Sequence, residues 1–167
     1  MVDRMLHDEH VASLDIINRL EVRIGNGKWA KHLDTTVPAD RHLLEQLVSM
    51  MNSEVHHHLP FEEKELFPKL DELGFEDITG MLFDEHEAIR SLAKAIIPAA
   101  NEALANGFNE DKWSKFFDNI AELIGIIIFH VQKEEMGVIS RLEMLLGAES
   151  CREMAVVYRN FIGETST

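Results

Sequence analysis

The sequence contains one cysteine, Cys151, among its 167 residues. A single thiol cannot form an intrachain disulfide, and without a CxxC pair nothing indicates a thiol redox centre or a cysteine-ligated zinc site. Proline and glycine are scarce as well, at 4 and 9 residues, so no flexible linker divides the chain. Because 46% of the residues are hydrophobic, the chain can bury one core, and we predict a single domain over residues 1–167.

Positive charge and long apolar runs are also lacking. The chain has 16 Lys and Arg against 30 Asp and Glu, a formal net charge of -14, which repels a phosphate backbone and an anionic membrane surface. Its most apolar segment, Leu123 to Phe129, is far shorter than the roughly 20 residues that span a bilayer. The start, MVDRML, does not resemble a secretory signal. We therefore expect a cytoplasmic protein that binds neither nucleic acid nor membrane.

Apolar residues recur with helical periodicity through nearly the whole sequence, and no β pattern competes. Breaks typical of helix C-termini divide it into five predicted helices, at about residues 4–24, 38–73, 77–105, 109–146 and 150–162. The fold class expected is all-α: an up-down-up-down four-helix bundle over about residues 4–147, with a short fifth helix at about 150–162 across one end. Trp29 and Trp113 are predicted to anchor the bundle ends.

Histidine is the residue in excess, with nine in the chain, and four of them interrupt the apolar stripes of the four long helices. In the first helix, His10 lies four residues from both Leu6 and Leu14. The other three histidines continue the stripes of their own helices, and two helices add a carboxylate one turn later. The set predicted to face inward comprises His10, His58, Glu62, His86, His130 and Glu134.

The carboxylates Glu62 and Glu134 each follow a histidine at i, i+4 spacing. Side chains four residues apart stand on one helix face, with Cβ atoms roughly 5 to 6 Å apart, so both can reach one metal ion or two neighbouring ions. A lone histidine on an apolar stripe is more often a hydrogen-bonded core residue. Two buried carboxylates beside four imidazoles are hard to satisfy in that way. The set therefore predicts a dinuclear metal site bridged by the two glutamates.

Four segments carry these residues in order: LHDEH at 6–10, HHHLPFEEKELFP at 56–68, GMLFDEHEAIR at 80–90 and HVQKEE at 130–135. Together they resemble the motif helices of the hemerythrin-like, or HHE cation-binding, family, over nearly the whole chain. The resemblance implies a non-haem di-iron centre, with two iron ions as the cofactor and the six residues above as ligands. Manganese is the alternative metal, whereas zinc is disfavoured because structural zinc sites are usually tetrahedral and closed.

Two departures from the family pattern affect the ligand set. Oxygen-carrying members have a second histidine one turn after the ligand of the third helix, where this chain has Arg90, which cannot ligate a metal. A fifth nitrogen is therefore missing or comes from elsewhere. The candidates are His7, His32, His42 and His57. Pro60, between two predicted ligands, is expected to kink the second helix, which could re-aim His58 or admit His57 instead.

The resemblance implies a protein that binds or reacts with O2, or with another small diatomic or peroxide ligand. One alternative is a di-iron enzyme or iron donor in nitric oxide or peroxide stress or in iron-sulfur repair, which an open coordination position at Arg90 would suit. Another is a redox or oxygen sensor acting through a partner. No nucleophile with its base, phosphate loop or nucleotide fingerprint is present. Apart from the two ligands, the acidic runs 62–65 and 134–135 are predicted to be solvated faces.

Overall fold

The computed structural model describes residues 1–25 and 31–163, and within these ranges the chain is helical with no strand. The four long elements are α1 (Val2–Ile24), α2 (residues 38–71), α3 (Glu76–Asn106) and α4 (Glu110–Gly137). Each packs against the next in sequence, and α1 also packs against α4, which closes the bundle. The fifth helix, α5 (Ala148–Gly163), packs against α1. The predicted all-α, up-down-up-down bundle with a fifth helix is confirmed.

The helix ends follow the predicted signals with one exception. The Asn109 side chain caps α4 by accepting a hydrogen bond from the backbone N–H of Lys112 at 2.9 Å. The fourth helix was predicted to run to about residue 146, and this is wrong. It ends at Gly137, where the backbone of Val138 leaves helical geometry at φ -125°, and a 3₁₀ turn (Ile139–Arg141) and a short helix (Leu142–Leu146) follow.

The two tryptophans were predicted to lie at the bundle ends. Trp113 is buried there against Phe108 and Phe116, and the ring of His32 lies 5.0 Å from its ring. Trp29 lies outside the described residues. No helix in the described ranges is long and apolar enough to cross a membrane.

Helix α2 is irregular in its second half, where the predicted ligands lie. Regular α-helix (Pro38–Ser53) gives way to a π-helical turn (Glu54–His58), a short α segment (Leu59–Phe61), a second π-helical turn (Glu62–Leu66) and a final α segment (Phe67–Asp71). Each π turn immediately precedes the residue before a proline, Pro60 or Pro68. Proline has no N–H and clashes with the carbonyl four residues earlier, so the wider i to i−5 bond avoids this conflict.

The core consists of two apolar clusters along the bundle axis. The larger cluster fills the end that contains the 31–37 loop and the start of α4, and includes Leu20, Leu47, Ile96 and Ile120. The smaller cluster lies at the other end, where α5 packs against the start of α1 and the end of α2. Along each long helix, the inward-facing residues belong first to one cluster and then to the other. The predicted ligands lie between the two clusters.

Candidate metal centre

Six buried polar side chains from four helices meet between the two apolar clusters. They are His10 from α1, His58 and Glu62 from α2, His86 from α3, and His130 and Glu134 from α4. Their ligand atoms form two overlapping groups. One group contains His10 and His58, the other His86 and His130, and both contain the two glutamates. Within each group the atoms lie within 4.8 Å of one another. The structure thus brings all six predicted residues to one place.

The four imidazoles all turn Nε2 toward the carboxylates. His10 Nε2 lies 3.1 Å from Glu134 Oε2, and His58 Nε2 lies 3.3 Å from Glu62 Oε1. On the other side, His86 Nε2 is 3.4 Å from Glu62 Oε2 and 3.8 Å from Glu134 Oε1. Each glutamate therefore has one oxygen toward each pair of histidines. This is the arrangement that two bridging carboxylates require.

Most ligand atoms of the cluster have no hydrogen-bond partner in the described part of the protein; the exceptions are Nε2 of His10 and of His58, which lie 3.1 Å apart. Among residues 1–25 and 31–163, seven buried side-chain nitrogen and oxygen atoms have no hydrogen-bond partner. Six of them belong to this cluster: both carboxylate oxygens of Glu62 and of Glu134, and Nε2 of His86 and of His130. Buried polar atoms without partners are rare in folded proteins because each costs desolvation free energy. Coordination to cations would satisfy all six, so the residues present fit a metal centre.

The buried carboxylates are held in their charged form. Burial alone would raise the pKa of Glu62, but the charge of His58 and the nearby imidazole nitrogens of His58 and His86 hold it well below its usual range. For Glu134, burial and the charge of Glu62 act upward, yet the surrounding imidazoles, His130 foremost, lower its pKa. Ionised carboxylates are the form that ligates metal ions.

The imidazoles respond in the opposite direction. Burial lowers the pKa of His86, but the nearby carboxylates of Glu134 and Glu62 outweigh it and raise the pKa to about 10. The pKa values of His10 and His58 are also raised, because their glutamate partners outweigh burial. Without a cation, the cluster therefore retains protons that neutralise its carboxylates. A metal ion would displace those protons on binding.

A second layer of carboxylates orients the imidazoles through Nδ1. Glu9 accepts from His58 at 2.8 Å, Glu63 from His86 at 2.8 Å, Glu85 from His130 at 2.9 Å, and Glu135 from His10 at 2.6 Å. We call these four glutamates the outer carboxylates. Each helix supplies one of them to the imidazole of the next helix, and α4 supplies its own to α1, so the four contacts form a closed ring. Such contacts fix the tautomer of a ligating histidine, leaving Nε2 free for metal.

Each outer carboxylate has a further partner. Glu63 accepts hydrogen bonds from Arg90 Nη2 to both oxygens at 2.7 Å, and Glu85 pairs with Lys133. Glu135 also contacts His7 Nδ1 at 3.0 Å. The partner of Glu9 is the hydroxyl of Tyr158, on α5. The contacts continue outward from the cluster as four chains of hydrogen-bonded groups.

The outer carboxylates were not predicted from the sequence, and the solvated-face prediction for Glu63 and Glu135 is wrong. Both side chains are largely buried, at 16% and 26% exposed, and both accept from imidazoles. A signal was present, because every outer carboxylate adjoins an inward-facing residue in the chain, as in the Glu9–His10 and Glu62–Glu63 pairs. Periodicity could not show which neighbouring helix each one faces.

None of the four candidates for a fifth nitrogen joins either group of ligand atoms. His7 contacts an outer carboxylate instead, while His32 and His42 are exposed on or near the inter-helix loop. His57 is half-buried, whereas its neighbour His58 is buried and faces the cluster. Arg90 lies outside the groups and binds Glu63 and Glu87. The described residues thus provide four imidazoles and two carboxylates.

These features define a class: a four-helix bundle with a histidine-rich, carboxylate-bridged cluster between its core helices that could hold metal ions. The family model of the hemerythrin HHE cation binding domain matches residues 1–142, and the chain belongs to this family. The match includes all six cluster residues and the four outer carboxylates, whereas α5 lies beyond it. Searches of curated proteins and of solved structures found no match.

Proposed function

We propose that this chain is a non-haem di-iron protein that binds or reacts with O2 at the cluster formed by helices α1, α2, α3 and α4. The observation that carries the proposal is the pair of overlapping donor groups that share Glu62 and Glu134. Shared carboxylates serve two ions rather than one. Imidazole and carboxylate donors together suit iron, and the described residues offer no thiolate at the site.

The charge of the donor set supports reversible or mild redox chemistry. Two divalent ions with four neutral imidazoles and two carboxylates would retain two positive charges, whereas a site with four carboxylates would be neutral. Higher oxidation states of iron are therefore less stabilised here than in carboxylate-rich di-iron proteins. We infer that the site favours binding of O2, or its reduction without cleavage of the O–O bond.

A second candidate is an enzyme that consumes nitric oxide or peroxide, and the number of donors favours it. Each group supplies four donor atoms, two imidazole nitrogens and two carboxylate oxygens. Arg90 stands at the position of the additional histidine of oxygen carriers, and it forms ion pairs with Glu63 and Glu87. Each metal ion would thus keep open positions for small ligands. In either function, the protein's own groups orient the imidazoles, hold their protons on Nδ1 and exclude water with two apolar clusters.

The first test measures metal content and reactivity together. Protein expressed with iron supplied and purified without oxygen should contain about two irons per chain, since two carboxylates are shared between two donor groups. Glu62→Ala should fall below one iron, while Glu65→Ala, on the same π turn and outside the cluster, should match the wild type. One iron in the wild type, or zinc alone, would contradict the proposal.

Mixing the reduced protein with O2 or with nitric oxide then separates the two functions. An optical change that reverses when O2 is removed supports binding, and an irreversible change supports reaction. Indifference to O2 together with rapid reaction with nitric oxide would favour the second candidate.

A further inference from the structure

We propose that Tyr158 is a positioning residue of the metal centre: its hydroxyl holds Glu9 against His58, which makes α5 part of the site. The inference rests on the proposed function only in requiring that the cluster binds metal ions. It goes beyond the family match, because α5 lies outside residues 1–142.

The contacts of Tyr158 connect the far end of the chain to the cluster. Its side chain is fully buried, and its ring lies 4.4 Å from the ring of Phe61 on α2. The hydroxyl donates to Glu9 Oε2, the same oxygen that accepts from His58 Nδ1 at 2.8 Å. Burial, followed by the charge of Glu9, raises the pKa of Tyr158. The phenol therefore keeps its proton and donates it in the hydrogen bond to Glu9.

This chain of contacts differs from the other three because its outermost partner lies on a different helix from the imidazole. Arg90, Lys133 and His7 each lie one turn from the imidazole whose outer carboxylate they hold, on the same helix. Around His58, the positions three and four residues away on α2 are either apolar, Val55 and Phe61, or acidic, Glu54 and Glu62. None of these side chains can donate to Glu9. Helix α5 supplies the missing donor from outside the bundle.

Packing alone does not account for a tyrosine at this position. A phenylalanine would fill the same space beside Phe61, whereas a buried hydroxyl costs free energy unless it is hydrogen-bonded. The Glu9 side chain is 33% exposed, so without the phenol its carboxylate can turn toward water and leave His58 Nδ1. The hydroxyl therefore acts on the orientation of His58 rather than on the core.

The test is a Co²⁺ titration of the metal-free protein under anaerobic conditions, followed by visible absorption and calorimetry. The wild type should bind two Co²⁺ ions. Tyr158→Phe should keep its helical circular dichroism but raise one of the two dissociation constants about tenfold. This is the low end of the effect of losing a partner of a ligating histidine. Met154→Ala, a buried change on α5 outside the chain of contacts, should lower the unfolding temperature and leave both constants unchanged.

A double-mutant cycle shows whether Tyr158 acts through Glu9. Glu9→Ala should weaken the same site, and adding Tyr158→Phe to it should cause no further loss. Additive losses, or an equal loss in Met154→Ala, would overturn the positioning role. Two unchanged constants in Tyr158→Phe would overturn it and leave the proposed function intact. A wild type that binds no Co²⁺ would overturn both.

Discussion

Two adjacent glutamates on α2 have different roles because neighbouring residues of a helix point in different directions. Glu62 is fully buried and turns both oxygens toward the cluster, whereas Glu63 turns sideways to His86 Nδ1 and Arg90. A carboxylate in Glu63's position strengthens the imidazole as a ligand without touching the metal ion. Glu65, on the same turn, takes no part in either layer.

At this scale we predict that Glu63→Gln weakens metal binding about 10- to 100-fold, the usual cost of losing the carboxylate partner of a ligating histidine. The amide retains the size of the side chain but loses the charge that holds both Arg90 and the imidazole of His86. Metal titration of the purified variant measures the effect.

Glu65→Gln is the matched control for Glu63→Gln and should bind metal like the wild type. Equal affinities in the two variants would show that the contact between Glu63 and His86 does not support the site.

The six residues of the cluster could be predicted from the sequence, whereas the outer carboxylates could not. His10, Glu62 and the other four inward residues lie on apolar stripes, and a stripe identifies which side chains point to the bundle axis. The outer carboxylates lie one position away, where a side chain points between two helices. Whether Glu9 meets water or His58 depends on which helix lies alongside, and this is set by the packing of the whole bundle.

At the scale of the element, α2 shows how proline can be accommodated without ending a helix. The sequence predicted a kink at Pro60. The structure accommodates Pro60 and Pro68 with two π turns, closed by bonds from the Leu59 N–H to the Glu54 carbonyl and from the Phe67 N–H to the Glu62 carbonyl. Periodicity assumes a constant 3.6 residues per turn and cannot reveal such widening. His58 and Glu62 nevertheless stay on one face.

We predict that Pro60→Ala weakens metal binding while leaving the metal-free protein at least as stable as the wild type. Alanine restores an N–H that can bond the carbonyl four residues earlier, so a regular α turn competes with the π turn. A regular turn would change the rotation between the helix segments before and after it, so His58 would no longer keep its present angle to the other ligands. Metal titration and thermal unfolding by circular dichroism measure the two effects.

Pro98→Ala provides the comparison for Pro60→Ala, since Pro98 is exposed within α3, which is a regular α-helix. It should not change metal affinity. Unaltered affinity in Pro60→Ala as well would mean that the π turns do not position the ligands.

At the scale of the whole molecule, the cluster couples folding to pH. The pKa of His86 is raised to about 10, so in the metal-free protein its contribution to stability is complete below its ordinary value near 6.5 and is lost as pH rises through about 10. The pKa of Glu62 is lowered, so its contribution is present above about 4.5 and is lost in stronger acid. The two windows overlap between roughly pH 4.5 and 6.5.

We therefore expect the free energy of unfolding of the metal-free protein to be largest in this range and to fall between pH 6.5 and 10. In the metal-loaded protein the neutral imidazoles are ligands, so the alkaline fall should disappear, while acid should release the metal as protons compete. Denaturant unfolding of both forms at pH 6, 8 and 9.5 tests this. Metal-free protein whose stability stays level or increases up to pH 9.5 would contradict it.

The partners of the outer carboxylates also impose an electric field across the cluster. On the side of His86 and His130, Glu63 and Glu85 are neutralised by the fixed cations Arg90 and Lys133. On the opposite side, the outward partners of Glu9 and Glu135 are a phenol, Tyr158, and a half-exposed imidazole, His7. The potential therefore becomes more negative from α3 toward α1. Two identical ions placed in this gradient would not be equivalent, and the higher charge would be favoured at the His10 and His58 end.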